Sequence, residues 1–367
     1  VPEIRGRILW KTATLSPAMA SFRYRALYPS FALAQHGNLS VLTDRRDLDP
    51  GLLHDAAAMV IVKSFTPADI RLAEFAGNAG VRVFFDLCDN IFIPEYRRPE
   101  GPSPAETLAE LRPYLTGLVV PTESLARVAR ESIGADLPVH VVPDCCETPA
   151  LRTAAFDYLQ SNALPRSPLT PASTLQPAPH DGILEHERAH GPLILWFGNH
   201  GSPWGSFGIT DILIFREALE RTARGQTARL VVVSNHRQKY TELIEPLRIP
   251  STYLEWSPAV LERALRHAAV VIAPNSLDDF SRCKSSNRTL LALASGVPVV
   301  ATMTPALDPI KEAVWTHDPA VGIARYLGDR DLAERHVAIG RGIIEREYSP
   351  RATAAAWRHV LAADTHE

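Results

Sequence analysis

Pro274-Asn-Ser-Leu-Asp-Asp-Phe-Ser-Arg-Cys-Lys-Ser-Ser-Asn-Arg-Thr-Leu-Leu-Ala-Leu-Ala-Ser-Gly-Val-Pro-Val-Val-Ala301 is the stretch that decides the fold. It follows one apolar run, Val270 to Ala273, and closes in another, Pro298 to Thr302, so a buried strand is predicted on each side. Between them, Ser285 or Ser286 can cap a helix that runs to Ser295 and stops at Gly296. Strand, turn and helix in that order leave free N–H groups and the positive end of a dipole at the helix start, where an anion is held well. Lys284 and Arg288 are four apart, so they are expected on one side of that start, with Ser285, Ser286 and Asn287 lining the same turn. Their charges would add to the dipole and suit a diphosphate; the alternative is a solvated basic turn.

Working outward, the same alternation fills both halves of the chain. Arg7 to Lys11, Ala58 to Val62, Val81 to Phe85, Leu118 to Val120 and Val139 to Val142 read as strands. Phe22 to Gly37 and Ser124 to Ile133 carry apolar residues at helical spacing and end on glycines, as crossover helices do. Near Leu164 to His180 the chain turns to Pro, Ser, Thr, Ala and Gln, which sustain neither periodicity, so a linker or mobile loop is predicted over 161–190. The alternation then restarts with Leu193 to Phe197, Leu230 to Ser234 and Tyr253 to Glu255 before the opening stretch. The expected architecture is α/β: two doubly wound, Rossmann-like domains, 1–160 and 191–347. A closing helix over 348–367 presents Ala356, Trp357, Val360 and Leu361 on one face and so should dock on protein, crossing back to the first domain.

Further candidate residues cluster at predicted strand ends, where ligands bind in doubly wound sheets. Trp196-Phe-Gly-Asn-His-Gly-Ser-Pro-Trp-Gly-Ser-Phe-Gly208 offers Gly198 and Gly201 for close backbone approach, and Asn199 and His200 as donors to phosphate or sugar oxygens. Its glycines do not fall as G-x-G-x-x-G, and the next strand ends Ser-Asn235-His without an acid, which disfavours an NAD-dependent dehydrogenase. Asp86 and Asp89 follow the predicted strand that ends at Phe85, where a carboxylate can take a proton or orient a hydroxyl, or merely cap a turn. Ser16, Arg23 and Arg25 follow the first strand; the arginines can reach a phosphate or pair with acids. His186-Glu-Arg-Ala-His190 matches the H-E-x-x-H zinc signature, but its helix is broken by Gly191-Pro192 and no third ligand pattern follows.

The 367 residues are 46% hydrophobic and 22% charged, which suits two globular domains rather than disorder. A formal net charge of -3 gives no electrostatic footprint for nucleic acid, so anionic ligands must be met locally. Four scattered cysteines, Cys88, Cys145, Cys146 and Cys283, form no disulfide framework and fit a reducing cytosol. The opening residues lack an apolar signal core and no apolar stretch is long enough to span a bilayer, so a cytoplasmic protein is expected, with any membrane contact peripheral, at the inner face.

Taken together, these residues resemble the GT-B glycosyltransferases, in particular the retaining family-4-like group. Lys284 to Ala301 looks like that family's donor-site helix with its A-x-G-x-P-V-V-A ending. Supporting similarity runs through Phe22 to Pro29, Phe85 to Asp89, Val119 to Ser124, Val141 to Asp144 and Tyr348 to Leu361. The resemblance implies two domains facing across a cleft and metal-independent transfer of a sugar from a nucleotide sugar, a UDP- or GDP-sugar, without further cofactor. It implies a donor set of Gly198, Asn199, His200, Gly201, Asn235, Lys284, Ser285, Ser286, Asn287 and Arg288. Asp86, Asp89, Lys284 and Arg288 would act in catalysis, with Ser16, Arg23 and Arg25 on the side of a glycan, lipid-linked or protein acceptor. The family often carries two glutamates eight apart on the donor helix; Cys283 and Leu291 stand there in this chain, and Asn287 or Asp279 would have to hold the ribose. The competing readings are a GT-B-like sugar-nucleotide epimerase, a nucleotide-binding protein without transfer and, more remotely, a zinc hydrolase through His186, Glu187 and His190.

Overall fold

The computed structural model describes residues 4, 6–47, 50–96, 100–134, 136–166, 169, 181–199, 201, 207–225 and 227–362. They form two compact units: residues 1–170 with 283–285 and 346–367, and residues 171–282 with 286–345.

The first unit is built on β1 (Arg7–Thr12), β2 (Ser40–Thr43), β3 (Ala56–Val62), β4 (Arg82–Asp86), β5 (Gly117–Val120), β6 (Val139–Val141) and β7 (Ala163–Leu164). They lie in the order β6-β5-β4-β3-β1-β2-β7, and every pairing is parallel. Parallel strands need crossovers that cover both faces, which is why β3 reads as the unbroken apolar run Ala-Ala-Ala-Met-Val-Ile-Val. The crossover helix Pro67–Asn78 starts in a capping box between Thr66 and Asp69, and Glu123–Ile133 ends at Gly134, whose φ of 88° a side chain would strain. The predicted helix over Phe22 to Gly37 is continuous from Ala20 to Ala34, but its turn Arg23–Leu27 is π-helical.

Helix Pro350–Ala362 belongs to this unit and buries Thr353, Ala354, Trp357, Val360 and Leu361; Ala354 takes the place expected for Ala356. Trp357 meets Trp10 of β1 edge to face at 4.9 Å, and the Tyr348 carbonyl accepts from the Cys146 N–H at 2.7 Å. The two strands absent from the sequence reading are β2, which sets only Val41 and Leu42 between Ser40 and Thr43, and β7, whose two residues are too few for a period to show.

The second unit carries β8 (Leu193–Phe197), β9 (Arg229–Ser234), β10 (Ser251–Glu255), β11 (Ala268–Ala273) and β12 (Val299–Ala301) in the order β10-β9-β8-β11-β12, again all parallel. Winding proceeds outward from β8 through β9 and β10, then restarts on its other side with β11. Such a reversal opens a crevice beyond the carboxyl ends of β8 and β11. Their ends carry Gly198 and Asn275.

The linker expected over 161–190 is narrower. Helix Pro149–Asn162 and β7 remain in the first unit, while helix Asp181–Ala189 belongs to the second; residues 170–180 lie outside the described ones. The edge strand β7 is held by its partner rather than by its own pattern: Leu42 and Thr43 of β2 pair with Ala163 and Leu164.

Candidate functional site

At the carboxyl ends of β8 and β11, the second unit gathers a cation, a close-approach glycine and a helix start. Helix Asn287–Ala294 begins at Ser286, whose side chain makes no capping bond, so the first turn relies on something other than that hydroxyl. Arg288, in that turn, donates from Nη2 to Asn275 Oδ1 at 2.7 Å and lies over the Trp196 ring, 5.7 Å from its centroid. A Cβ on Gly198 would stand 3.1 Å from the Trp196 ring and 3.5 Å from Arg288 Nη1, so only glycine lets the backbone, the ring and the guanidinium come together undisturbed.

Burial lowers the Arg288 pKa, opposed by Asp211, yet a guanidinium remains charged at neutral pH. Asp211, whose own pKa burial raises against the pull of Arg288, accepts from the N–H groups of Gly208 and Ser276 at 3.0 and 3.2 Å and so joins two loops around the site. Gly201 has φ 94°, and a Cβ there would run into the Phe207 carbonyl. Asn199 and Asn235 are exposed at the ends of β8 and β9, while His200 lies outside the described residues. Leu291 is buried, and Cys283 sits in the apolar core of the first unit, so neither position could hold a charged carboxylate without burying it. Of the expected substitutes, Asp279 is exposed and Asn287 half-buried.

The first unit holds a second cluster past β3 and β4. Asp89 is buried and carries two ammonium partners, Lys63 Nζ and Lys284 Nζ. Burial alone would raise its pKa; Lys284 and Lys63 outweigh that and hold the carboxyl well below the usual range. Tyr96 OH lies 3.4 Å from the same carboxylate, and burial pushes its phenol up to about 12 and the neighbouring Cys88 thiol likewise to about 12. Lys63 has φ 43°, a left-handed conformation that costs a non-glycine residue roughly 1–2 kcal/mol. It was not among the residues singled out in the sequence; its signal was there, a charged residue directly after the apolar run of β3.

Several expectations need correction. Lys284 and Arg288 do not share the helix start: the helix begins at Asn287, and Lys284 belongs to the first unit with Asp89. Ser285 belongs there too, its Oγ donating to Asp144 Oδ2 at 2.7 Å. Asp86 is fully buried against Arg25, which binds it at 2.7 Å through Nη2 and reaches Asp144 at 2.8 Å and the Val142 carbonyl at 2.7 Å through Nη1. Burial lifts the Asp86 carboxyl to about 6 despite Arg25. Arg25 and Asp86 therefore brace the sheet ends and leave neither charge facing a ligand. Arg23 is likewise buried, on Glu147 at 3.0 Å and the Pro17 carbonyl at 2.7 Å, and Ser16 is half-buried in the turn before it. In the H-E-x-x-H stretch, Glu187 is tied to Arg229, which commits the carboxylate a zinc hydrolase would use as its base, and among the described residues no three His, Cys, Asp or Glu side chains gather as metal ligands. Among the described residues no helix is long and apolar enough to cross a membrane.

No family model matches the chain, and no curated protein matches it in sequence. Solved structures do match in shape. Anabaena HepE in complex with UDP-glucose has a TM-score of 0.64 at 12% identity, over 98% of this chain and 100% of that one. OtsA in its apo form gives 0.63 at 12% identity, and sucrose-phosphate synthase from Thermosynechococcus elongatus 0.58 at 13%, each over 98% of this chain and 100% of the other. Staphylococcus aureus TarM matches at 0.53 and 13% identity over 86% of this chain, which spans only 57% of TarM. At such identities the likeness is one of fold: the chain has the two-sheet α/β architecture of the GT-B class.

Proposed function

We propose that this protein is a glycosyltransferase that moves a sugar from a nucleoside-diphosphate sugar to a hydroxyl acceptor. The observation that carries the reading is Arg288, a guanidinium set at a helix start beside Gly198 and Asn275, at the strand ends where the winding of the second sheet reverses. Cation, N–H groups and close backbone approach are what a diphosphate requires. Breaking the bond between sugar and diphosphate leaves negative charge on the leaving oxygens, and a preorganised guanidinium at a helix start stabilises that charge as it develops. The same arrangement can serve without a metal ion, since its cation is supplied by the chain.

UDP is the favoured nucleoside diphosphate, because UDP-glucose is bound to HepE and UDP-2-fluoro glucose to the E. coli trehalose-6-phosphate protein of similar fold. With Asp86 committed to Arg25, Asp89 is the remaining carboxylate of the first unit, and its part is to hold Lys63 and Lys284 in place on the acceptor side. Retention of configuration, membership of the family-4-like group and a glycan, lipid-linked or protein acceptor rest on the sequence resemblance; a cytoplasmic location rests on the scattered cysteines.

Calorimetry with UDP, GDP, ADP and dTDP tests the donor site. We expect one of them to bind and Arg288→Ala to weaken it at least tenfold, about 1.4 kcal/mol. A wild-type chain that bound none of the four, or an Arg288→Ala chain of unchanged affinity, would remove the assignment.

A further inference from the structure

We propose that Lys63 and Lys284 form an anion subsite on the first unit that takes a phosphate or carboxylate group of the acceptor, an inference that rests on the glycosyl-transfer reading. Lys63 lies just past the carboxyl end of β3, which pairs with β1, the strand at which the winding of the first sheet reverses. Among the described residues it is the one non-glycine with positive φ. Glycine would occupy that backbone without strain, so a lysine held there points to work for its side chain.

Charge is sorted by depth. Asp86, Asp89 and Asp144 have side chains 0–5% exposed, whereas the Lys63 and Lys284 side chains are 28% and 39% exposed. With Arg25 the group holds three cations and three carboxylates, of which the carboxylates and Arg25 are buried and the two lysine side chains are the partly exposed members. Three cations against three carboxylates leave the group neutral as a whole, so it is the depth of the carboxylates that makes the two lysines its outer, positive members. Each ammonium carries three donors, so an oxyanion with several acceptor positions can bridge the two while Asp89 keeps both in place. The donor diphosphate has its own cation in Arg288 of the second unit, which leaves this pair for a different anion.

The test uses inorganic phosphate as the probe, titrated into the protein by calorimetry with and without saturating UDP. Phosphate should bind with a Kd of about millimolar order whether or not UDP is present. Lys63→Gly should weaken it at least tenfold while circular dichroism shows the chain still folded, its melting temperature set by relief of the left-handed strain against loss of one of the two ammoniums on Asp89. Lys63→Arg should retain binding, and UDP affinity should be the same in all three chains. If the glycine chain failed to fold, Lys63→Asn, which tolerates the left-handed backbone, would give the same reading. Phosphate displaced by UDP would hand the lysines to the donor and overturn the proposal. So would phosphate binding that is absent from the wild type or indifferent to the loss of Lys63. Failure of UDP to bind the wild type would strike the donor assignment instead, a separate result.

Discussion

Arg25→Met is the sharpest test of how the first unit is held together. It deletes the guanidinium shared by Asp86 and Asp144 and keeps most of the side-chain volume next to Trp357, whose ring lies 6.0 Å from the guanidinium carbon. Removing one partner of a buried ion pair costs about 3–5 kcal/mol, because the other charge stays buried without compensation. The pH dependence follows from Asp86. Its folded pKa of about 6 lies above the unfolded carboxyl value, so its contribution to stability is complete in acid and is lost as pH rises through 6. The wild-type slope is at most ~1.4 kcal/mol per pH unit in that window and flattens above it. Without Arg25 the carboxyl keeps its proton to higher pH, so the variant should go on losing stability above pH 6. Urea unfolding followed by circular dichroism at pH 5, 6, 7 and 8 should show a deficit that is smallest at pH 5 and widest at pH 8. Adding Asp86→Asn should remove most of the extra slope. A deficit below ~1 kcal/mol, or one constant across the four pH values, would refute the reasoning.

Three shorter predictions use the same structure. Trp357→Ala should destabilise the first unit by roughly 3–5 kcal/mol in thermal unfolding, since Trp357 is fully buried against Trp10. In Gly340→Ala, helix propensity favours alanine by up to ~1 kcal/mol, but the new Cβ would stand 2.8 Å from Leu293 Cδ1; overpacking at roughly 1–3 kcal/mol should win and lower the melting temperature. Asp89 is held below its unfolded value, so its contribution is present above about pH 4 and lost as pH falls further; Asp89→Asn should flatten that acid limb in a stability profile from pH 2 to 6.

How much was legible in the sequence differs between strands and side chains. Ten of the strands were readable because each carries a short apolar or β-branched run, as strands of a sheet covered on both faces do over most of their length. The close approach at Gly198 was readable because a turn after a buried strand admits few residue types, and Arg288 because a cation at the start of an apolar helix stands out locally. The partner of each charge was not. Arg25 and Asp86 are 61 residues apart and Lys284 and Asp89 are 195 apart, and no local pattern links either pair.

By itself, then, the sequence determined the two α/β units, their glycine turns and the apolar face of the closing helix, because periodicity and backbone sterics act over a few residues. Only the tertiary structure decided which charges are available to a ligand. It buried Arg23, Arg25 and Asp86 as braces, left Lys284 outside the helix that carries Arg288 and paired it with Asp89, and brought in Lys63. Burial and pairing depend on what the sheet order places side by side, and that order lies in long-range contacts rather than in any window of sequence.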